Sequence, residues 1–452
     1  MSKKNLDDKV EIPETLITKL SYVVFGLSNL VHGQIIKGLC FLAIEVAYII
    51  FMIVGGFQNL VNLVTLGTVQ TGWVEVPGKI LPEYHLGDNS MLFLLFGVLT
   101  VMVTVGAVWV GYCSHKSAKN LQILDSQGKA APSFKDDIML LLDQRFHVTL
   151  LFFPICGILL FSLLPTIYMI CIAFTNYDHD HQVPGNLFDW VGFANFGNML
   201  GGDPKLGHTF FGVFVWTMIW AIFATFSNYF LGIIVALVIN TKGLKFKKVF
   251  RSILVLTIAM PQFISLLVMR NFFSGYGVIN RSLINMGIIS SINEAIPFFT
   301  DATLAKVIII IVNMWIGIPY TMLMSSGILM NIPQDLYEAA TVDGANKVQM
   351  FFKITLPQII FTTTPYLITS FVGNINNFNV IYLLTGGGPK TTEYYVAGKT
   401  DLLVTWLYSL TKTQMDYNLA STIGILIFVI SAVLSLLTYT NSKSYKEEDS
   451  FQ

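Results

Sequence analysis

The chain has 452 residues, 54% hydrophobic and 12% charged, with a mean hydropathy of +0.65. These proportions exclude an ordinary soluble domain and indicate a polytopic membrane protein. Lys plus Arg equals Asp plus Glu at 27 each, so no basic surplus points to nucleic acid.

The first ten residues are charged and no apolar run follows directly, so the start does not read as a cleavable signal. Leu16, Ile17, Leu20, Val23, Val24, Leu27, Leu30 and Val31 keep helical spacing, with Lys19, Ser21, Ser28, Asn29 and His32 between them. This stretch is short and polar for a span and predicts an interfacial helix lying in the membrane plane. A ninth span is the rival reading.

Eight stretches are long enough for a bilayer crossing of about 20 residues. They lie near 38–57, 90–112, 148–174, 211–239, 252–272, 304–330, 358–384 and 418–439. With the N-terminus inside, the inner segments hold Lys3, Lys4, Lys9, Lys19, Lys116, Lys119, Lys129, Lys135, Arg145, Lys242, Lys245, Lys247, Lys248 and Arg251. The outer loops hold only Lys79, Lys205, Arg281, Lys390, Lys399 and Lys412. The positive-inside rule therefore places both termini in the cytoplasm. The expected organisation is a cytoplasmic start with the interfacial helix (1–37), two spans and a cytoplasmic linker (38–147), a six-helix core (148–440) and a cytoplasmic tail (441–452).

Cys40, Cys113, Cys156 and Cys171 each lie in or beside an apolar run and form no CxxC pair, so they read as small packing residues. Pro154, Pro165, Pro261, Pro319 and Pro365 fall inside spans, where each removes a backbone hydrogen bond and permits a kink. Glu45 lies inside the first span, as a functional acid or as an interhelical hydrogen-bond partner. Asp178-His179-Asp180-His181 has metal-ligand chemistry, but a solvated loop is the plainer reading.

Two later spans carry polar triplets at i, i+4, i+7: Asn313, Gly317 and Tyr320, then Ser370, Asn374 and Asn377. Each triplet falls on one narrow helix face. Amides in hydrocarbon face a cavity or pair between helices, and the spacing alone leaves both readings open. In a cavity, Asn suits sugar hydroxyls, Tyr offers a flat face for a pyranose ring, and Gly317 admits a ligand to the backbone.

Between these spans, 338–357 reads EAATVDGANKVQMFFKITLP. Pro333 suits a first helical turn; Leu336, Ala339 and Ala340 give one apolar face; Gly344 is a natural stop. A second short helix over about Asn346–Ile354 is expected, making a compact helix–turn–helix. Farther on, Gly386-Gly387-Gly388-Pro389-Lys390-Thr391 resembles a phosphate loop only superficially, because Pro389 breaks the Gly-Lys pair. No nucleophile–base constellation is present, so the chain does not read as an enzyme.

Glu338-Ala339-Ala340, three residues, Gly344, nine residues, then Ile354-x-Leu356-Pro357 resembles the cytoplasmic coupling loop of ABC-importer permeases. With WVGFANF at 190–196, AMPQFIS at 259–265, NMWIGIPY at 313–320 and SFVGNINNFNVIYLLTGGGP at 370–389, most of 150–440 is similar to the larger permease subunit of maltose/maltodextrin ABC importers. The resemblance implies an all-α, type I ABC-importer fold of about eight transmembrane helices. It implies a maltodextrin-type substrate held by Asn313, Ile316, Gly317, Tyr320, Ser370, Gly373, Asn374 and Asn377. Gly373 departs from the bulky aromatic found there in the best-known member. It implies ATPase coupling through Glu338, Ala339, Ala340, Asp343 and Gly344. The implied partners are a second permease subunit, two ATPase subunits that carry ATP and Mg, and an extracytoplasmic sugar-binding protein. No cofactor is expected on this chain. The loop of about 35 residues after the third span resembles Gram-positive members, whose binding protein is a lipoprotein, and implies the cytoplasmic membrane of such a bacterium.

An ion-coupled secondary sugar transporter is the rival from another class. It requires intramembrane carboxylates, and only Glu45 is placed as one. A permease for a different oligosaccharide is a second rival, and a non-transport membrane scaffold is a third. The charge asymmetry makes a direct prediction: 57–89, 175–210, 273–303 and 385–417 are external. Cysteine-accessibility scanning on intact cells tests the map, and labelling at position 129 from outside would overturn it.

Overall fold

In the computed structural model, residues 13–74, 81–241 and 243–440 are described. Lys3, Lys4, Lys9, Lys79, Lys242 and the expected tail 441–452 lie outside the described residues. Long apolar segments must close their backbone hydrogen bonds internally, and helices do so. Among the described residues six helices are long and apolar enough to cross a membrane: Ile35–Thr65, Ser90–Ser126, Phe146–Ile172, Pro204–Asn240, Ala302–Asn331 and Tyr417–Thr440. Two bent pairs bring the number to eight: Lys247–Ala259 with Gln262–Phe272, bent by 96°, and Lys347–Ile375 with Phe378–Leu384, bent by 42°. Each of the eight expected stretches falls on one of these elements. Among the described residues the only β-sheet is a two-stranded antiparallel ribbon in which Gly72 pairs with His85 and Val74 with Glu83.

Prolines mark several of the irregularities. The π-turns Leu159–Leu163 and Phe351–Thr355 each stand two residues before a proline, Pro165 and Pro357. Proline donates no N–H and its ring presses on the preceding turn; a wider turn relieves both. At Met260-Pro261 the helix breaks outright, with both residues in extended backbone.

The chain divides into two compact units, Met1–Trp190 and Val191–Gln452. In the first, the single interfacial helix expected over Leu16–Val31 is replaced by two short helices, Leu16–Leu20 and Leu27–Val31. The break lies at Gly26, whose φ is +78° and where a side chain would overlap the backbone of Gly38. The polar residues of the stretch turn inward. Thr18 Oγ1 donates to Gln122 Oε1 at 2.7 Å, Asn29 Nδ2 to Ser117 Oγ at 2.9 Å, and the Gly26 N–H to Ser114 Oγ at 2.8 Å. Their partners lie where the Ser90–Ser126 helix runs on past the expected end of its span at 112. Leu16, Leu20, Val23 and Val31 face outward. Glu45 Oε2 accepts the Phe25 N–H at 2.7 Å and so clasps the hairpin to the first long helix.

The second unit is built on Pro204–Asn240. Asp203 caps this helix by accepting from the N–H groups of Lys205 and Leu206, at 2.8 and 2.9 Å, with Pro204 in the first turn. Phe210 and Val213 pack with Leu403 and Trp406; Trp216 and Trp220 with Ile309, Val380 and Leu384; Tyr229 and Ile233 with Ile359; Ala236 and Ile239 with Met322. The glycine-rich segment after Leu384 folds around the chain's own carboxylate. Asp401, 1% exposed, accepts the Gly398 N–H at 2.7 Å and pairs with Lys390 at 3.4 Å. Burial raises the Asp401 carboxyl above its ordinary range although Lys390 and the Gly398 N–H pull it down. Gly387 has φ +80°, and a side chain there would overlap that carboxylate. The segment therefore holds no place for a phosphate.

Asp401→Ala leaves the buried Gly398 N–H unpaired, a loss of about 1–3 kcal/mol. Gly387→Ala adds a clash in a left-handed conformation. Both variants are expected to lower the thermal midpoint of the detergent-solubilised protein; an unchanged midpoint in both would show that this bracket contributes nothing.

Candidate functional site

The break at Met260-Pro261 opens onto a cavity of about 500 Å³. Its wall combines the segment Thr257–Gln262 with Asn228 of Pro204–Asn240, Ile316, Gly317 and Tyr320 of Ala302–Asn331, and Tyr366 and Ser370 of Lys347–Ile375. The lining sets the amides of Asn228 and Gln262, the hydroxyls of Thr257 and Ser370 and the rings of Tyr320 and Tyr366 among aliphatic Ile258, Ala259, Met260, Pro261 and Ile316, with no charged side chain. Non-helical backbone at membrane depth is stable where it is buried in protein or lines a cavity, and this segment lines one. The volume lies within the roughly 300–1,000 Å³ usual for small-molecule sites.

The eight expected site residues separate into groups. Ile316, Gly317, Tyr320 and Ser370 stand together on the wall. Asn374 Nδ2 donates to Thr225 Oγ1 at 2.9 Å, and the Asn374 carbonyl accepts from Trp220 Nε1 at 3.1 Å. Asn377 Nδ2 donates to Asn374 Oδ1 at 3.2 Å, while its own Oδ1 caps the next helix by accepting the Val380 N–H at 3.2 Å. The two asparagines thus join helices and hold the bend between Ile375 and Phe378. Asn313 is 6% exposed and its Nδ2 has no partner. At Gly373 an added side chain would meet nothing within 4 Å, so the place of an aromatic is open space. At Gly317 it would overlap the Asn228 amide, so the room expected for a ligand is taken by a neighbouring side chain.

Asn228, Gln262 and Tyr366 were missed by sequence reading. Each had a signal: Asn228 is an amide in an apolar span, Gln262 follows a span-interior proline, and Tyr366 stands at i−4 from Ser370 on the same helix face. The Tyr320 and Tyr366 rings lie 5.7 Å apart, tilted by 33°.

The 331–357 segment forms a second site. Gln334–Val342 is a helix preceded by Pro333, which occupies the cap and not the first turn. It ends in a Schellman motif: the Ala345 N–H reaches Ala340 O at 2.9 Å, the Gly344 N–H reaches Thr341 O at 3.1 Å, and Gly344 has φ +79°. Asn346 and Gln349 form a reciprocal capping box at 2.8 Å each way. The second short helix does not stop at 354. Lys347–Met350 passes through the π-turn into the long helix that reaches the cavity, because Pro357 falls where a missing N–H is tolerated. Tyr337 Oη and Thr355 Oγ1 tie the two arms at 2.9 Å. Glu338, Ala339, Asp343 and Gly344 are exposed and Ala340 is half-buried. Ala340, Asp343, Gly344, Gln349 and Lys353 border a concavity of about 370 Å³.

Among the described residues no three metal-ligating side chains come together. Asp178 Oδ1 and His181 Nδ1 pair with each other at 2.8 Å.

A bundle of apolar helices around an uncharged cavity at a helix break fits a membrane permease. The family model described as binding-protein-dependent transport system inner membrane component matches residues 228–444. The chain is 35% identical over 437 residues to the galactooligosaccharides transport system permease protein GanP of Bacillus subtilis (strain 168), covering 96% of this chain and 99% of that one. It is 35% identical over 435 residues to the maltodextrin transport system permease protein MdxF of the same organism, covering 94% and 95%. A crystal structure of a bacterial alginate ABC transporter, in complex with alginate pentasaccharide-bound periplasmic protein, superposes with a TM-score of 0.55 at 24% identity, covering 67% of this chain and 96% of that one. That likeness concerns the fold. The chain belongs to the binding-protein-dependent transport system inner membrane component family and is an ABC-importer permease subunit.

The geometry separates two kinds of variant. Tyr320→Ala is expected to lower transport several-fold with an unchanged thermal midpoint. Asn374→Ala removes an interhelical hydrogen bond worth about 0.6–1.7 kcal/mol in membranes, so its midpoint falls first. Transport assays beside thermal unfolding decide the matter. A stable Asn374→Ala variant with lost transport would put that residue on the path instead.

Proposed function

We propose that this chain forms half of the pathway of an ATP-driven oligosaccharide importer, and that its cavity holds a neutral sugar in transit. The observation that carries this reading is the uncharged lining, in which amides, hydroxyls and two tyrosine rings stand among aliphatic side chains. Hydroxyl-rich rings find donors, acceptors and flat apolar faces there. An anionic uronate would leave water for a wall with no cation, which is costly. The substrate class is therefore that of maltodextrins and galactooligosaccharides, the sugars in the names of the two relatives; maltodextrin is the narrower reading.

The 331–357 segment is proposed as the ATPase-coupling loop, with Glu338, Ala339, Ala340, Asp343 and Gly344 at the contact. In support, Leu336, Val342, Val348 and Phe352 are exposed on this segment, and Val342 is 88% exposed. Apolar side chains grouped in this way mark a protein contact. Two ATPase subunits close on ATP and must favour one permease conformation over the other, since only differential affinity moves an equilibrium. A second permease subunit completes the path. A binding protein, lipid-anchored in a Gram-positive host, delivers the sugar from outside.

Vesicles carrying the full assembly test both parts. Uptake of a neutral oligosaccharide is expected to require ATP and to be insensitive to an excess of uronate oligosaccharide; equal uptake without ATP would favour the ion-coupled reading. Gly344→Val forces a β-branched residue into a left-handed conformation and undoes the Schellman turn. It and Glu338→Ala are expected to reach the membrane but to lose ATPase co-purification or sugar-stimulated hydrolysis. Full association and hydrolysis in both would remove the coupling assignment.

A further inference from the structure

The cavity wall contains an amide whose placement the family motifs do not explain. Asn228 stands in the middle of Pro204–Asn240, on a line of residues spaced by four: Ala224, Asn228, Gly232, Ala236 and Asn240. Gly232 closes against Thr321, and Asn240 donates to Ser326 Oγ at 3.0 Å. These two positions are packing. Asn228 differs in two ways. It borders the cavity, and its Oδ1 is shielded from solvent with no hydrogen-bond partner. Buried amide oxygens are rarely left unpaired, and one at the wall of a binding cavity calls for a partner from the cavity.

We propose that Asn228 is a sugar-contacting, specificity-determining residue, and that Gly317 is the seat that lets it act. This rests on the oligosaccharide reading above and adds a residue to it. The amide lies over Gly317, where any side chain would overlap it. The last torsion of Asn is broad and soft, so the amide turns at little cost wherever space allows. The bare Gly317 allows it. The turn offers Oδ1 to a ligand hydroxyl and pairs the atom that the protein itself leaves without a partner. Asn313, one helical turn from Gly317 on the same face, has an unpartnered Nδ2. An unpaired acceptor at the cavity wall and an unpaired donor one helical turn from Gly317 are thus both present. A sugar hydroxyl both donates and accepts, and suits such a pair; an apolar ligand does not.

The first test uses thiol protection in the assembled transporter, with Cys40, Cys113, Cys156 and Cys171 replaced by serine. Asn228→Cys and, separately, Tyr320→Cys are labelled with a small maleimide, with and without a transported oligosaccharide. Slower labelling of the Asn228→Cys thiol in sugar supports the proposal. Protection at Tyr320→Cys alone overturns it and leaves the oligosaccharide site standing. Protection at neither, while uptake continues, overturns both. The second test reads the seat. Asn228→Ala and Gly317→Ala are each expected to lower uptake per assembled transporter about tenfold, the loss of one hydrogen bond in a site built to pair it. The double variant is expected to be no worse than the poorer single one, because both changes remove the same contact. A further independent loss, to about a hundredfold, would mean that Gly317 does not act through Asn228.

Discussion

The second unit depends on one close helix crossing. Pro204–Asn240 and Ala302–Asn331 exchange glycines: Asn228 lies over Gly317, and Thr321 lies over Gly232. Lipid offers no hydrophobic drive for two helices to meet, so their attraction must come from contact area and hydrogen bonds, and glycine allows both. The register fixes direction as well. Position 228 meets 317, 232 meets 321 and 240 meets 326, so the two helices run parallel. Parallel helices in one bundle require an odd number of crossings between them. The bent pair 247–272 supplies one, in accord with the parity inferred from lysine and arginine.

That crossing also explains which parts of the site could be read from the sequence. Gly344 was legible because a helix stop needs only local chemistry, and the Schellman bonds form within six residues. Gly317 was half legible. A glycine inside a span says that space is needed, but the claimant, Asn228, is 89 positions away in the chain. The polar triplets were legible as faces and ambiguous as functions, since an amide that joins helices and an amide that lines a cavity obey the same spacing. Asn374 found Thr225 and Asn377 found the Val380 N–H, whereas Tyr320 found open space. The N-terminal stripe failed in a related way. Its periodicity located the apolar side, but hydroxyls and amides on a helix that outlasts its span drew the polar side inward.

Two acids answer another ambiguity of sequence: Glu45, which invites a functional reading inside a span, and Asp401, which lies behind the glycine-rich segment that resembles a phosphate loop. Each instead accepts a backbone N–H that the fold leaves without a helical partner, Phe25 in one case and Gly398 in the other. A carboxylate in such a place fixes a turn. Gly387 is required because the Asp401 carboxylate already fills the space its side chain would take.

The proposed transport cycle needs a connection between the loop and the cavity, and the helix Lys347–Ile375 provides it. The arm that begins at the capping box of Asn346 continues as the wall that carries Tyr366 and Ser370. A displacement at the loop is therefore passed along a single element. Tyr337 hydrogen-bonded to Thr355 joins the second arm to it. Compliance is concentrated where the backbone ladder is weakest: the π-turn Phe351–Thr355, Pro357 and Pro365. All three lie between the exposed end and the cavity wall. In the proposed cycle the two arms of the loop reach two parts of the cavity wall, one through Ala302–Asn331 to Gly317 and Tyr320, the other through Lys347–Ile375 to Tyr366 and Ser370. The first is packed against Asn228 and Gly232, whereas the second is interrupted by the π-turn and two prolines, so the second is the softer route from loop to cavity.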